Sequence, residues 1–323
     1  MVPASHGPPP GCEVYRGLTV AVVVPAYNEE RHVGEVITTA PAWVDHIIVV
    51  DDASTDATVI AAKEAADRRT EVIERAANGG VGAAILTGHA RALELGADVM
   101  VVMAGDAQMD PAYAAALVDP IAEHGYGFAK ANRFYSMNSF QGMPWLRIFG
   151  NVVLSFMTKV ASGYWQLFDP QNGYTAVHRE ALQRIPLERV RTGYEFENDL
   201  LIHLNIAHVR AIDVPIPARY GSEVSTIRLS REVRRLGGLM VTGFWRRIWW
   251  KYVIQSFSPV ALLLFGGLAL VGFGLLVGIF VVANTLGPRT ASAGTVMLSA
   301  APLLSGIHLL ISALVLDIQE GSR

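Results

Sequence analysis

Residues 97–111 read ADVMVVMAGDAQMDP, and this stretch decides the architecture of the chain. Its first half is an apolar run of the kind buried on both faces of a sheet. The run stops at Gly105-Asp106, and Asp110-Pro111 begins a new turn. A strand that ends in this way presents a side chain at its tip, and here that side chain is Asp106. Two residues earlier stands Ala104, where a second carboxylate would help to hold a cation.

The same pattern recurs on either side. TVAVVVPAY (19–27), DHIIVVDDAS (45–54), TEVIERA (70–76) and YGFAKANRF (126–134) predict strands. EERHVGEVITTA (29–40), TDATVIAAKEAADRR (55–69), GGVGAAILTGHARALELG (79–96) and PAYAAALVDPIAEHG (111–125) predict helices between them. Strands separated by helices of this length form a mainly parallel, Rossmann-like α/β sheet covered on both faces. Ligands of such sheets sit beyond the carboxyl ends of the strands. The polar tips collect there: Tyr27, Asn28 and Glu29; Asp51 and Asp52; Asp106 and Gln108.

The chain of 323 residues is 51% hydrophobic, and its mean hydropathy of +0.33 is high for a water-soluble enzyme. The excess is local. No charged residue occurs from Tyr252 to Pro288, nor from Thr290 to Leu316. About 20 apolar residues span a bilayer as a helix, so the two runs predict a transmembrane hairpin over about 257–283 and 291–316. Gly274 and Gly278 are spaced to let helices approach. Before the hairpin, residues 223–256 hold Arg228, Arg231, Arg234, Arg235, Arg246, Arg247 and Lys251 against two acids, Glu223 and Glu232, with Trp245, Trp249 and Trp250 interleaved. That composition predicts basic, amphipathic juxtamembrane helices in the headgroup layer rather than a nucleic-acid surface. The positive-inside rule places this face, and both termini, in the cytoplasm. MVPASHGPPPG lacks the regions of a signal peptide, and its prolines predict a disordered segment over 1–17. Cys12 is the single cysteine, which excludes an internal disulfide and fits a reducing compartment.

Clustered acids at the tips of a parallel sheet suit two kinds of enzyme. A dinucleotide oxidoreductase needs a glycine-rich turn after the first strand. Here that strand ends VVVPAYNEE, without glycine, which excludes it. A nucleoside diphosphate held through a divalent cation needs a hard oxygen ligand at a strand tip. GDAQ supplies one.

VVVPAYNEE, IIVVDDASTDAT, NGGVGAAILTG, GDAQMDP, DPQNGY and GYEFENDLL occur in the order found in family 2 glycosyltransferases of GT-A fold. The resemblance covers residues 18 to about 228 in motifs. The arrangement of a GT-A domain (18–222), basic juxtamembrane helices and a hairpin resembles the polyprenyl-phosphate branch, with its dolichyl-phosphate mannose synthases and bactoprenol glucosyltransferases. The resemblance implies an inverting transferase that moves a sugar from a UDP- or GDP-linked donor to a polyprenyl phosphate, with Mg2+ or Mn2+. Hairpin-anchored relatives also assemble, so homo-oligomers are expected.

Site residues follow by motif. Pro25, Tyr27, Glu29 and Asp52 match positions around the nucleobase and ribose. For Asp51 a role in ending the strand weighs equally with binding. Gly79, Gly80 and Gly82 match the nucleotide-side loop, although relatives often carry a basic residue at the position of Val81. Arg133 in NRF matches an arginine that approaches phosphate. The family's Asp-x-Asp-x-Gln corresponds to Ala104, Asp106 and Gln108. Asp106 and Gln108 are then the retained metal ligands, and the site is expected to be weak without nucleotide. Asp110 reads as a helix cap. Asp169 in FDPQNGY matches an acid near the anomeric carbon, either a base or an orienting group. Glu195, Glu197 and Asp199 begin a helix, where acids also favour the dipole. Arg219 and Arg228 are candidates for the donor pyrophosphate or the lipid phosphate, although relatives carry a lysine where this chain has Thr226. Two rivals remain: a transferase to a glycan or lipid hydroxyl, and a catalytically dead nucleotide-binding scaffold, for which Ala104 is the argument. A processive polysaccharide synthase is disfavoured by the missing Gln-x-x-Arg-Trp signature.

Overall fold

The computed structural model describes residues 15–135, 145–169, 171–217, 229–286 and 291–321. Arg219, Arg228, Thr226 and Cys12 lie outside the described residues. The chain divides into two compact units, Met1–Phe244 and Trp245–Arg323.

The first unit is built on a seven-stranded sheet. Its strands are β1 (Val20–Ala26), β2 (His46–Asp51), β3 (Thr70–Glu74), β4 (Val99–Val102), β5 (Phe128–Asn132), β6 (Thr175–His178) and β7 (Ala211–Pro215), in the spatial order β3-β2-β1-β4-β6-β5-β7. β1 pairs in parallel with β2 and β4, β2 with β3, and β5 with β7. β6 runs antiparallel to both of its neighbours. Among these strands all but β6 therefore share one direction, and their carboxyl ends share one edge. β6 enters from that edge, so Gln171 to Gly173, which precede it, lie at the edge as well.

Side chains alternate across the sheet with a period of two. Val20, Val22 and Val24 of β1 join one core with Val36 and Ile37 of α1 (Val33–Thr39) and Leu117 of α4 (Ala114–His124). Ala21 joins the other with Ile85 of α3 (Val81–Glu94) and Leu200 and Leu204 of α7 (Phe196–Ile206). The valines are fully buried, which stabilises the fold by about 1.5–3 kcal/mol each. α2 (Thr58–Ala65) packs beside α1, and α6 (Arg179–Gln183) follows β6. α5 (Trp145–Ser162) packs on α7, and Ala161 meets Ile202 and Leu239 there. α8 (Leu229–Arg247) brings Leu239 and Met240 into that cluster.

The second unit holds a π-helical turn, Ile248–Ile254, then α9 (Pro259–Thr285) and α10 (Ala293–Gly321). Both helices are long and apolar enough to cross a membrane. They pack against each other at glycine. A Cβ on Gly274 would stand 2.9 Å from Leu303 N, and one on Gly306 2.8 Å from Val271 N. Gly278 is also at this seam, where a Cβ would lie 3.0 Å from Ser299 Oγ. One sequence expectation is corrected here. Arg247 is not a headgroup-facing cation: it is fully buried, and its Nη1 and Nη2 donate to Asp317 at 2.5 and 3.1 Å. Tyr252 Oη donates to the same carboxylate at 2.6 Å. Lys251 is buried beside them. Asp317, the first acid after the second apolar run, is what draws the guanidinium inward.

Candidate active site

The chain leaves β1 for β2 and β3 on one side, then returns to place β4 on the other. The crevice at such a switch is where a ligand fits. Its floor is tight: Gly105 N donates to Pro25 O at 3.0 Å, and a Cβ on Gly105 would lie 3.2 Å from that oxygen. Pro25 is buried, whereas Tyr27 is 47% exposed at the rim. Asn28 adopts φ of 60° and accepts from Thr55 N at 2.9 Å, while Glu29 N donates to Thr58 Oγ1 at 2.8 Å. These bonds zip the loop after β1 to the loop after β2.

Asp52 is buried and held by the protein itself. Its Oδ2 accepts from Gly80 N at 2.8 Å, its Oδ1 from Gly79 N at 3.0 Å, and Arg75 Nη1 also donates to it. The carboxylate therefore shapes the glycine loop. Gly80 has φ of +88°, and a Cβ there would meet Thr192 O at 2.9 Å. Gly82 packs against Phe196, whose ring atoms would lie 2.7 Å from a Cβ. Asp51 differs: Oδ2 accepts from Ser54 N at 3.1 Å, while Oδ1 is buried with no hydrogen-bond partner among the described residues.

Asp106 is partly exposed, and its Oδ1 accepts from Gln108 N at 3.0 Å. Ala107 between them takes φ of 56°, and Ala104 N donates to Met109 Sδ at 3.2 Å. Asp110 caps the turn Pro111–Tyr113 through Ala112 N at 3.0 Å. No three His, Cys, Asp or Glu side chains converge on a point among the described residues. The chain offers a divalent cation one carboxylate and one amide oxygen. That donor set fits an ion whose remaining positions are filled by a nucleotide's phosphates and water. A cleft of about 460 Å³ opens beside the same loop, lined by Val36, Thr39, Pro41, Ala107 and Met109. Neither Asp106 nor Asp169 lines it, so the crevice described above is the better site.

On the far side of β4, Arg133 and Asp169 form a fork. Arg133 Nε donates to Oδ2 at 2.8 Å, Nη2 to Oδ1 at 3.1 Å, and Arg133 N to Oδ2 at 3.2 Å. Asp169 is buried and Arg133 about one-third exposed. Burial works to raise the Asp169 pKa, but the Arg133 hydrogen bonds and the charges of Lys130 and Arg133 hold it below the usual carboxylate range. Around this fork lie Lys130 and Asp213, which the sequence did not mark, and Glu197, which it offered only among three acids at a helix start. Lys130 of β5 is buried, with no hydrogen-bond partner for Nζ among the described residues. Burial lowers its pKa against the pull of Asp213, Asp169 and Glu197. Asp213 stands opposite it on β7 and binds Phe168 N at 2.7 Å. Glu197 is half-buried, and desolvation pushes its carboxyl up to about 7.

The model of the family described as Glycosyl transferase family 2 matches residues 21–186, which run from β1 through the loop after α6. The chain belongs to glycosyl transferase family 2. The polyprenol monophosphomannose synthase of Mycolicibacterium smegmatis is 32% identical over 60% of this chain and 75% of its own. The UDP-N-acetylglucosamine–dolichyl-phosphate N-acetylglucosaminyltransferase of Methanococcus voltae is 30% identical over 62% of this chain and 86% of its own. The glucosyl-3-phosphoglycerate synthase of Mycobacterium tuberculosis, solved with Mn2+, UDP and phosphoglyceric acid, superposes with a TM-score of 0.55 at 23% identity. That likeness covers 72% of this chain and 78% of the other, and it supports the GT-A fold of this family member.

Proposed function

We propose that the chain transfers a sugar, with inversion, from a nucleotide diphosphate to the phosphate of a polyprenyl lipid. The observation that carries this reading is the fork of Arg133 on Asp169. A buried carboxylate held ionised by a guanidinium is a weak base. A phosphomonoester acceptor is already anionic near pH 7 and needs no strong one. The relatives that act on dolichyl phosphate and polyprenol phosphate support the same acceptor.

The donor, UDP- or GDP-linked, lies over the β1–β4 crevice. Pro25, Tyr27, Glu29, Gly80 and Gly82 line the nucleotide, with Asp52 setting the loop that carries the glycines. Asp106 and Gln108 hold Mg2+ or Mn2+, and that ion supplies neutralisation of the leaving diphosphate. Arg133, Arg219 and Arg228 bind phosphate, and Asp169 orients the reacting groups. We assign residues 18–222 to the catalytic domain, 223–256 to membrane-surface helices, and α9 and α10 to a two-span anchor with both termini cytoplasmic. Membrane lipids, and further copies of the chain, are its expected partners.

A hydroxyl acceptor is the second reading, and Glu197 favours it. A carboxyl with a pKa of about 7 is suited to take a proton near neutrality.

The test is transfer of labelled sugar from UDP- and GDP-linked donors to polyprenyl phosphate, polyprenol or a glycan, with and without Mn2+. Product on the phosphate alone supports the first reading, and product on polyprenol or glycan supports the second. No transfer to any acceptor leaves the binding scaffold. Asp106→Ala should cut metal-stimulated transfer by about 100-fold or more, the order expected when several kcal/mol of charge stabilisation are removed. Full metal-stimulated activity in that variant overturns the cation site.

A further inference from the structure

We propose that the outer face of α5 lies against the surface of a lipid bilayer. The helix is inverted in polarity. A surface helix of a water-soluble domain turns its apolar stripe to the core and its polar residues outward. α5 turns its larger apolar residues outward, and its inner side sets polar groups beside Ala161 and the half-buried Leu154. Ser155, Thr158 and Ser162 are buried on its inner side. Ser155 Oγ donates to Phe168 O, and Thr158 Oγ1 to Asn198 Oδ1 at 2.8 Å. The outer side carries Trp145, Phe149, Val152, Val153, Phe156 and Met157, all exposed, with Trp145 at 75% and both phenylalanines at 59%.

Positions 145, 149, 152–153 and 156–157 recur every three or four residues and so share one face. At 1.5 Å per residue the stripe runs for about 18 Å. Single exposed apolar residues need no explanation, but a continuous stripe does.

The chemistry of the helix selects the occupant. Residues 145–162 contain no Asp or Glu, and they contain Arg147 and Lys159. Trp and Phe on a helix without acids suit the boundary between headgroups and acyl chains, while Lys159 turns inward and donates to Trp165 O at 2.5 Å. The inference rests in part on reading α9 and α10 as membrane spans, since they would hold the chain at a bilayer.

The test uses the full chain with Cys12 replaced by Ser, reconstituted in phosphatidylcholine vesicles containing phosphatidylglycerol. Single nitroxide labels are placed by Phe149→Cys, Phe156→Cys, Leu276→Cys on α9 and Glu64→Cys on α2. Accessibility to oxygen and to a water-soluble nickel chelate is then read at each. Labels at 149 and 156 are expected to be oxygen-accessible and shielded from nickel, unlike the label at 64. Water-like readings at 149 and 156 overturn the proposal, whether or not 276 reads as lipid; a water-like 276 overturns the anchor. Spin–spin broadening between copies at 149 or 156 overturns it in favour of a self-association face. As a second measure, Phe149→Ser/Phe156→Ser should lower transfer to a vesicle-embedded acceptor about tenfold. Its transfer to a short, water-soluble polyprenyl phosphate should be unchanged. Equal loss on both acceptors overturns the proposal.

Discussion

Glu197 and Asp169 are carboxyls of one cluster whose environments drive them apart. Asp169 is held ionised by Arg133, while Glu197 is pushed up to about 7 by desolvation. An acid whose folded pKa lies above its unfolded value favours folding fully below the unfolded pKa, and that contribution is lost as pH rises through the folded value. For Glu197 the window runs from about pH 4.5 to 7, and the size of the effect is on the order of 3 kcal/mol. Chemical denaturation across this window should show stability falling in the native chain and a shallower slope in Glu197→Gln. Parallel slopes would remove Glu197 from the account. Individual residues were only partly legible in the sequence. Asp106, Asp110 and Asp169 stood out by their neighbours in the chain. Lys130 did not, because a lysine within FAKAN reads as any strand residue. The carboxylates that act on it, Asp213, Asp169 and Glu197, lie far off in sequence. The fork itself joins positions 36 residues apart, and no local pattern announces such a pair.

At the scale of elements, the first four strands and the helices between them follow the periodicity closely, because each buries its own apolar face. β6 and β7 are short, and β6 is placed by antiparallel pairing to β4 and β5 rather than by its own pattern. The stripe of α5 recurs at helical spacing, but that spacing marks a helix without saying which way its apolar side faces. The glycine loop before α3 shows two uses of one residue type. Gly80 needs a positive φ and meets a backbone oxygen, whereas Gly82 meets the ring of Phe196, which has more freedom to shift. Gly80→Ala should therefore cost about 1–3 kcal/mol from its positive-φ, extended-ψ backbone alone, with the close approach to Thr192 O in addition. It should also weaken the binding of UDP. Thermal unfolding with and without UDP measures both; a Gly80→Ala chain as stable as Gly82→Ala would show that the loop relaxes freely.

Across the whole molecule, composition distinguished an α/β domain from an apolar carboxyl-terminal part. It misread the cations between them. Arg247 looked like one more basic residue facing lipid headgroups, yet it is buried against Asp317 and Tyr252 within the second unit. Their separation of 70 positions hid the pair. Removing one partner of a buried ion pair costs about 3–5 kcal/mol, while replacing both with apolar residues of similar size is often neutral. Arg247→Ala in detergent should lower the melting temperature well below that of the native chain. Arg247→Met/Asp317→Leu should recover most of the difference. A double variant as unstable as the single one would mean that the pair matters through something other than its stranded charge.

The inverted polarity of α5 also bears on how the chain is made. About 100 residues separate the end of α5 from the start of α9. At 5–20 residues per second a ribosome needs roughly 5–20 s to cover them. For that interval the nascent domain carries a bare aromatic stripe before its own first membrane-length helix has emerged. Chaperone capture and aggregation during synthesis should then depend on Phe149 and Phe156 more than on any residue of the hairpin.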